Sequence, residues 1–159
     1  MKPRVYLETT IVSYLAARPT RDLIRAARQE ITREWWDVRR NDFELYVSQI
    51  VVDEAGRGDP QAAGVRLGLM AGVPRLRINE PATDLARALL DQRAVPREAV
   101  EDALHIALSA VHGMDFLLTW NCSHIANAEM IGAIQNAIRS CGYEGPLICT
   151  PEEMLGDWE

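Results

Sequence analysis

Short apolar runs alternate with longer segments of helical periodicity along this chain. The spacing of apolar residues every three or four positions in the longer segments is that of amphipathic helices. No hairpin turn signal joins one short run to the next, and strands that alternate with helices form parallel sheets covered on both faces. We therefore expect a single α/β domain spanning residues 1–159. The predicted strands are Val5–Leu7, Phe43–Ser48, Leu76–Ile78, Asp115–Trp120 and Leu147–Cys149.

The helices are predicted from the same periodicity and from residues that favour helix ends. Thr20, Asp59 and Ser123 are suitable N-caps, and Thr150 begins a capping box that is completed by Glu153. The segment that follows Pro96 is almost wholly apolar and small-sided, so it should be deeply packed. The predicted helices cover residues 11–15, 20–40, 50–57, 61–71, 83–93, 96–112 and 124–140, with a short one from residue 150.

The long helix after Thr20 combines an apolar face with a stripe of arginines. Its arginines recur three and four positions apart, which makes them neighbours on a helix surface, and Trp36 lies beside them. Arginine next to an exposed aromatic ring suits single-stranded RNA. The alternatives are a solvated face whose arginines pair with Asp22 and Glu30, slightly favoured here, and a surface for a partner protein. The predicted core face is Leu23, Ile24, Ala27, Ile31, Trp35 and Val38, and the stripe is Arg18, Arg21, Arg25 and Arg28.

The low lysine content of the chain excludes two classes of enzyme. Lysine occurs once, at Lys2, and the other 16 basic residues are arginines. This excludes P-loop nucleotide hydrolases, which need a lysine in the phosphate-binding loop, and chemistry through a lysine Schiff base. We therefore expect any catalytic mechanism of this protein to use no lysine side chain.

Charge and cysteine content bear on the partners of the protein and on its cellular compartment. The net charge is −6, but residues 1–79 carry 13 basic and 10 acidic groups, whereas residues 80–159 carry 4 and 13. An acidic protein is not a natural nonspecific nucleic-acid binder, although a local basic face is compatible with this balance. Three cysteines without framework spacing fit a reducing compartment. With no membrane-length apolar run and no signal segment, we expect a cytoplasmic protein without a membrane span.

Acidic and amide side chains follow or precede the predicted strands at four places. Glu8 closes the first strand, Glu54 lies in the helix after the second, Asp102 lies in the packed helix, and Asn121 ends the DFLLTW strand. Polar residues after parallel strands converge at one edge of the sheet. A cluster of carboxylates is stable only when protons or cations neutralise it. Hard oxygen ligands of this kind suit Mg²⁺ or Mn²⁺, which also take phosphate as a ligand.

Three stretches together resemble the PIN-domain proteins, and most closely the VapC-like branch of toxin–antitoxin loci. They are YLETTIVSYL (residues 6–15), SQIVVDE (48–54) and EDALHIALSAVHGMDFLLTWNCSHIAN (101–127). The resemblance covers nearly the whole chain, and its motifs occur in the family's order. It implies a three-layer α/β/α fold with a central parallel sheet and RNA cleavage that depends on Mg²⁺ or Mn²⁺. It also implies a small antitoxin partner and a homodimer.

The resemblance assigns roles to individual residues. Glu8, Glu54 and Asp102 match the family's first three acids, and Asn121 stands where a fourth acid or an asparagine occurs, preceded by the hydroxyl of Thr119. Two departures concern the metal: glutamate at position 8 is one methylene longer than the usual aspartate, and Asn121 leaves the formal site charge at −3. The predicted metal ligands are Glu8, Asp102, Asn121 and Glu54, the catalytic set adds Thr119, and the substrate-binding set is Thr9, Arg18, Arg21, Arg25, Arg28, Trp36 and His124.

Other interpretations of these residues stay open from the sequence alone. His105 lies three residues from Asp102, so the two can face each other on a helix, and a histidine held by a structural partner is the commoner case. His124 fits the crevice and a first helical turn equally well. Cys122 and His124 do not complete a structural zinc spacing. Competing functions are a PIN-like scaffold that binds RNA or protein without cutting, and a metal-dependent phosphatase, which would need a closed phosphate pocket.

Overall fold

The computed structural model of the protein describes residues 1–156, so residues 157–159 of the predicted domain lie outside the described range. Five strands form one all-parallel sheet in the order β3-β2-β1-β4-β5. This confirms the predicted α/β class with a central parallel sheet in three layers. The strands are β1 (Arg4–Leu7), β2 (Glu44–Ser48), β3 (Arg75–Leu76), β4 (Phe116–Leu118) and β5 (Leu147–Cys149).

Helices connect the strands and cover the sheet. Helix α1 packs on α2, α3 and α4, whereas α5 packs on α6 and α7, so the helices form two groups. A short 3-10 helix, Pro151–Met154, begins at Thr150 with the predicted capping box. The α-helices are α1 (Thr9–Ala16), α2 (Leu23–Arg39), α3 (Gln49–Ala55), α4 (Pro60–Leu69), α5 (Glu80–Asp91), α6 (Val100–Val111) and α7 (Ala128–Ser140).

Strand β1 is the middle one of the five strands, with β2 on one side and β4 on the other. Val5, Tyr6 and Leu7 are all fully buried, as expected for a parallel strand covered by helices on both faces. The chain leaves this strand at Glu8, which is therefore placed at the middle of the carboxyl edge. This edge is where the candidate site lies.

Four predicted helix starts were wrong. Helix α5 begins at Glu80 rather than Thr83, because the Asn79 side chain caps it by accepting the Ala82 backbone N–H. The N-cap of α2 is Asp22 rather than Thr20, because the Asp22 side chain accepts the Arg25 backbone N–H. Helix α6 begins at Val100, four residues after Pro96. Helix α7 begins at Ala128 with Asn127 as its cap, because residues 122–125 form turns instead of the first helical turn predicted from Ser123.

The predicted core face of α2 was also wrong, except at the buried Trp35 and at Ile31, which is half-buried and packs against the core. Leu23, Ile24 and Val38 are exposed (86%, 67% and 66%), whereas Gln29 and Thr32 are buried beside the fully buried Trp35. The buried polar groups have partners: Gln29 donates to the Arg18 carbonyl, and Thr32 accepts the indole N–H of Trp120 at 2.8 Å. Helical periodicity identifies faces, but here a tryptophan anchor and hydrogen bonds decide which face turns inward.

No helix in the part of the chain that the structure describes is long and apolar enough to cross a membrane.

Candidate functional site at the carboxyl edge of the sheet

Glu8 lies at the N-cap position of α1, directly after the central strand, and it is only 3% exposed. Its backbone N–H donates to the Leu118 carbonyl at 3.1 Å, which ties it to β4. The hydroxyls of Thr10 and Thr119 donate to Oε1 at 2.5 and 2.6 Å. Since both bonds fall on the same oxygen, Oε2 receives no hydrogen bond from the described residues. A buried carboxylate is thus fixed with one oxygen left for another ligand.

Glu54 lies on α3 and faces the same edge. Its Oε1 accepts the hydroxyl of Thr9 at 2.8 Å and lies 2.6 Å from Nε2 of His105. Burial by itself would raise the pKa of Glu54, but the hydrogen bond and the charge of His105 outweigh burial and lower it. Glu54 is therefore ionised, and it is paired with a histidine.

A buried chain of hydrogen bonds continues from Glu54 into the core. His105 is fully buried on α6, and its Nδ1 lies 2.6 Å from the hydroxyl of Tyr6, which lies 2.7 Å from the hydroxyl of Ser48. Burial raises the pKa of the Tyr6 hydroxyl well above its ordinary value. Tyr6 is therefore neutral, and it can donate to Ser48 while it accepts from His105.

The charge of His105 is set by the acids around it. Burial opposes protonation of the ring, but the hydrogen bond to Glu54 and the charges of Glu8, Glu54 and Asp102 together raise the pKa of His105. The hydrogen bonds give the geometric link between two of these acids: the neighbouring hydroxyls of Thr9 and Thr10 donate to Glu54 and Glu8. His105 contacts Glu54 rather than Asp102.

Asp102 is held by a different histidine. Its Oδ2 lies 2.8 Å from Nδ1 of His124, in the turn after β4. The amide oxygen of Asn121 accepts the His124 backbone N–H at 3.0 Å, which shapes this turn. Of the carboxylate oxygens of Asp102, only Oδ2 is hydrogen-bonded within the described range. His124 therefore lies in the crevice beside Asp102 rather than in a first helical turn.

The oxygen atoms of the four predicted ligands suit a hard cation, but they do not surround one completely. All four predicted ligands offer oxygen, and each carboxylate keeps one oxygen without a hydrogen bond from residues 1–156. No group of three or more histidine, cysteine, aspartate or glutamate side chains within these residues is spaced to hold a metal ion. Mg²⁺ is commonly bound by one or two carboxylates, with water and substrate phosphate as the other ligands. The residues present fit that mode, and they do not fit a closed cage of protein ligands.

The predicted arginine stripe does not lie on a single helix, although Arg18 and Arg25 line one cavity. Arg18 and Arg21 precede α2, so only Arg25 and Arg28 lie on the helix. The guanidinium of Arg28 lies 5.1 Å from the ring centre of Trp120, beside the end of β4.

The pairings expected for a solvated arginine face are also absent from the described residues. Glu30 binds Arg33 at 3.2 Å, and Asp22 serves as the N-cap. Trp36 is half-buried beneath the guanidinium of Arg40 at 4.9 Å, so it is not an exposed aromatic beside the stripe. Of the stripe, Arg28 alone contacts the end of β4 that carries Thr119 and Asn121.

Sequence reasoning underestimated the residues that organise the acids. Tyr6 and Ser48 were taken as strand residues only, and His105 was expected to be held by a structural partner that the sequence did not identify. Nothing in the sequence identifies Tyr6 as a hydrogen-bonding residue, because a tyrosine in a buried strand is ordinary. The spacing between Ser48 and Glu54 around a helix start is the one signal that could have placed this serine near the site.

Comparison with known proteins does not assign the chain to a family. No protein-family model matches it, and no curated protein is significantly similar to it.

Proposed function

We propose that the protein is a metal-dependent endoribonuclease of PIN type that hydrolyses phosphodiester bonds in RNA. One observation carries the proposal: hydrogen bonds gather the predicted acids at the carboxyl edge of the sheet. The adjacent Thr9 and Thr10 donate to Glu54 and Glu8, Thr119 donates to Glu8, and the turn that Asn121 shapes brings His124 onto Asp102. Crevices at this edge of parallel sheets are the usual ligand sites of α/β proteins. The resemblance of the acid-bearing stretches to PIN-domain proteins supports the same activity.

Glu8 and Asp102 would hold Mg²⁺ or Mn²⁺ directly, each through its free oxygen. Glu54 and Asn121 would complete the site through water, because Glu54 is already paired with His105 and the Asn121 amide oxygen already accepts a backbone N–H. The bound ion would activate water and stabilise the charge that develops on the phosphate oxygens.

The surrounding side chains position these acids. Thr119 donates to Glu8, so it fixes the carboxylate rather than leaving it to rotate. His124 orients Asp102 in the same way from the other side of the crevice. Arg28 would contact a phosphate that approaches over Trp120. Removing a positioning group should lower the rate without removing the ion.

Two protein partners belong to the same proposal, a small antitoxin and a second copy of the chain. Both follow from the resemblance. The elution volume of the purified protein tests the homodimer, and co-purification with the product of a neighbouring small reading frame tests the antitoxin.

The test of the activity is cleavage of a labelled structured RNA with Mg²⁺, with Mn²⁺ and with EDTA. The informative variant is Asp102→Asn, which keeps the shape of the side chain and removes its charge. Its matched control is Asp84→Asn, the same change at an exposed aspartate of α5, which loses only a surface pair with Arg87, worth roughly 0–1 kcal/mol. We expect metal-dependent cleavage that is abolished in Asp102→Asn and kept in Asp84→Asn. Full activity in Asp102→Asn would disprove the assignment.

A second function, a PIN-like scaffold that binds RNA without cutting it, is favoured by the histidine pairs. Glu54 and Asp102 each have a histidine within 2.8 Å, and a cationic histidine can offset carboxylate charge without a metal. The two functions differ in their response to Mn²⁺. A catalyst gains thermal stability from Mn²⁺ binding and loses that gain in Glu8→Gln, whereas the melting temperature of a scaffold does not change.

A further inference from the structure

A cavity of about 400 Å³ lies between the α5–α6 connection and α7. Its polar lining consists of Arg93, Arg97 and Glu129, and its apolar lining includes Val95, Pro96 and Met130. We call it the Arg93–Glu129 pocket. Ligand pockets combine mostly apolar walls with a few placed polar groups in volumes of about 300–1,000 Å³. The Arg93–Glu129 pocket has apolar walls with a few polar groups, and its volume lies in this range.

Arg93 is held in an unusual backbone conformation. Its φ is 56°, and among the described residues it is the only residue other than glycine with a positive φ. The Arg93 N–H donates to the Leu90 carbonyl and the Ala94 N–H to the Leu89 carbonyl, which is the Schellman end of a helix. Glycine is the usual residue at this position, since it adopts the left-handed region without steric cost. An arginine placed here suggests that its side chain has a use.

The lack of ion-pair partners for Arg93 and Arg97 among the described residues indicates what kind of ligand the pocket would bind. Neither Arg93 nor Arg97 forms an ion pair with any residue in the range 1–156, and Glu129, which shares the pocket, is not within ion-pair distance of either. Arg87, by contrast, pairs with Asp84 at 3.7 Å. Only 4 of the 17 basic residues lie in the acidic second half of the chain, and two of them line this pocket. An anion is the chemical group that such a pair would attract.

The pocket adjoins the candidate active site along the chain. Residues 98–102 and His124 line a neighbouring cavity of about 440 Å³, which contains Asp102. Among residues 1–156 the two cavities have no lining residue in common, but their linings follow each other along the chain: residues 93–97 line the Arg93–Glu129 pocket and residues 98–102 line the cavity beside it in sequence. A ligand that extends along this segment would place one unit in the Arg93–Glu129 pocket and another beside Asp102.

We propose that the Arg93–Glu129 pocket binds one nucleotide of the RNA substrate, with guanosine preferred. This proposal rests on the proposed function. The arginines would bind the phosphate, and the apolar wall would receive the flat base. The Glu129 carboxylate would accept hydrogen bonds from the base, and guanine alone among the four bases presents a ring N–H and an amino group side by side to a carboxylate.

The test is a nuclear magnetic resonance titration of the whole protein in EDTA with guanosine, adenosine, cytidine and uridine monophosphates. We expect GMP to shift the amide signals of residues 93–97 and 129–133 at the lowest concentration. Glu129→Gln should weaken GMP binding about tenfold, the loss of roughly one charge-assisted hydrogen bond, and leave UMP binding unchanged. Shifts confined to other residues, or equal binding of all four nucleotides, would overturn the proposal.

Arg93→Gly separates a ligand-binding role from a structural one. The variant removes the guanidinium and also relieves the strain of the left-handed backbone. It should therefore raise the melting temperature and lower the affinity for every nucleotide. Arg87→Ala, outside the pocket, is the matched control and should leave the affinity for all four nucleotides unchanged. For a single-stranded RNA in EDTA, the slope of log K against log salt should fall by about 0.7 in Arg93→Gly. An unchanged slope together with unchanged affinity would contradict the proposal.

These measurements need neither a metal nor cleavage. If the protein does not cut RNA but GMP shifts the pocket residues, the endoribonuclease fails and the nucleotide site stands. If the protein cuts RNA and Arg93→Gly and Glu129→Gln leave binding and base preference unchanged, the nucleotide site fails and the endoribonuclease stands.

Discussion

Tyr6→Phe should be a strongly destabilising substitution, because it removes a single hydroxyl from the buried hydrogen-bond chain. That hydroxyl lies 2.6 Å from Nδ1 of His105 and 2.7 Å from the hydroxyl of Ser48. All three residues are fully buried, so water cannot replace the lost partner.

The magnitude follows from the two bonds. Each buried hydrogen bond contributes about 0.5–1.5 kcal/mol net, and an orphaned buried group costs about 1–3 kcal/mol. Losing both bonds and leaving the Nδ1 of His105 without its partner should cost about 2–4 kcal/mol. Near 3 kcal/mol, this corresponds to a fall in melting temperature of about 6–12 °C for a chain of this size.

The assay is urea unfolding of Tyr6→Phe beside Tyr46→Phe. Tyr46 lies on the neighbouring strand, and its hydroxyl makes one long, exposed hydrogen bond of 3.4 Å to Glu44. Its loss should change stability by no more than about 0.5 kcal/mol.

Adding Ser48→Ala to Tyr6→Phe removes one orphaned group, so the double variant should lose less than the sum of the single losses. If Tyr6→Phe costs no more than Tyr46→Phe, the buried chain does not stabilise the fold and the reasoning is refuted.

Three further predictions concern ionisation, thiols and helix caps. In metal-free buffer the Glu54–His105 pair should stabilise the fold most between pH 4.5 and 6.5, the ordinary pKa values of the two groups. Because the pKa of Glu54 is lowered by folding, the stability that Glu54 contributes is lost as the pH falls through its pKa in the folded protein. Because the pKa of His105 is raised by folding, the stability that His105 contributes is lost as the pH rises through its pKa in the folded protein. Unfolding free energies across pH measure this, and Glu54→Gln should flatten the profile. Cys122 and Cys141 are exposed, whereas burial raises the pKa of the Cys149 thiol to about 12, so a thiol reagent at pH 8 should modify two cysteines at once and the third only on unfolding; three fast thiols would contradict this. Asp59→Ala should cost about 1 kcal/mol, since Asp59 caps α4 through the Ala62 N–H, and a thermal melt equal to that of the unsubstituted protein would contradict the assigned cap.

Much of the fold was accessible from sequence because it depends on local signals. The five apolar runs became the five strands, since short runs bounded by breakers have few other ways to be buried. The caps at Asp59 and Thr150 were predicted correctly, because a side chain that binds the next turn acts within four residues. The helix starts at Ser123 and Thr20 were wrong for the same reason, since a nearby aspartate or asparagine provides a competing cap.

The orientation of α2 needed the tertiary structure. Its sequence offers an apolar face, yet the structure exposes Leu23, Ile24 and Val38 and buries Gln29 and Thr32. The buried threonine receives the indole N–H of Trp120, which is 88 positions away. A partner at that distance is invisible to periodicity.

The sequence by itself determined which residue types could form a site and on which edge of the sheet they would lie. Neighbouring parallel strands end at a common edge, so Glu8 and Asn121, which follow β1 and β4, were predicted to lie at that edge. Only the tertiary structure decided the hydrogen-bonding partner of each acid: Glu8 accepts from Thr10 and Thr119, Glu54 pairs with His105, and Asp102 pairs with His124. The two histidine pairs join residues 51 and 22 positions apart, and their geometry depends on how helices pack across the sheet, which is a property of the assembled core rather than of any local segment.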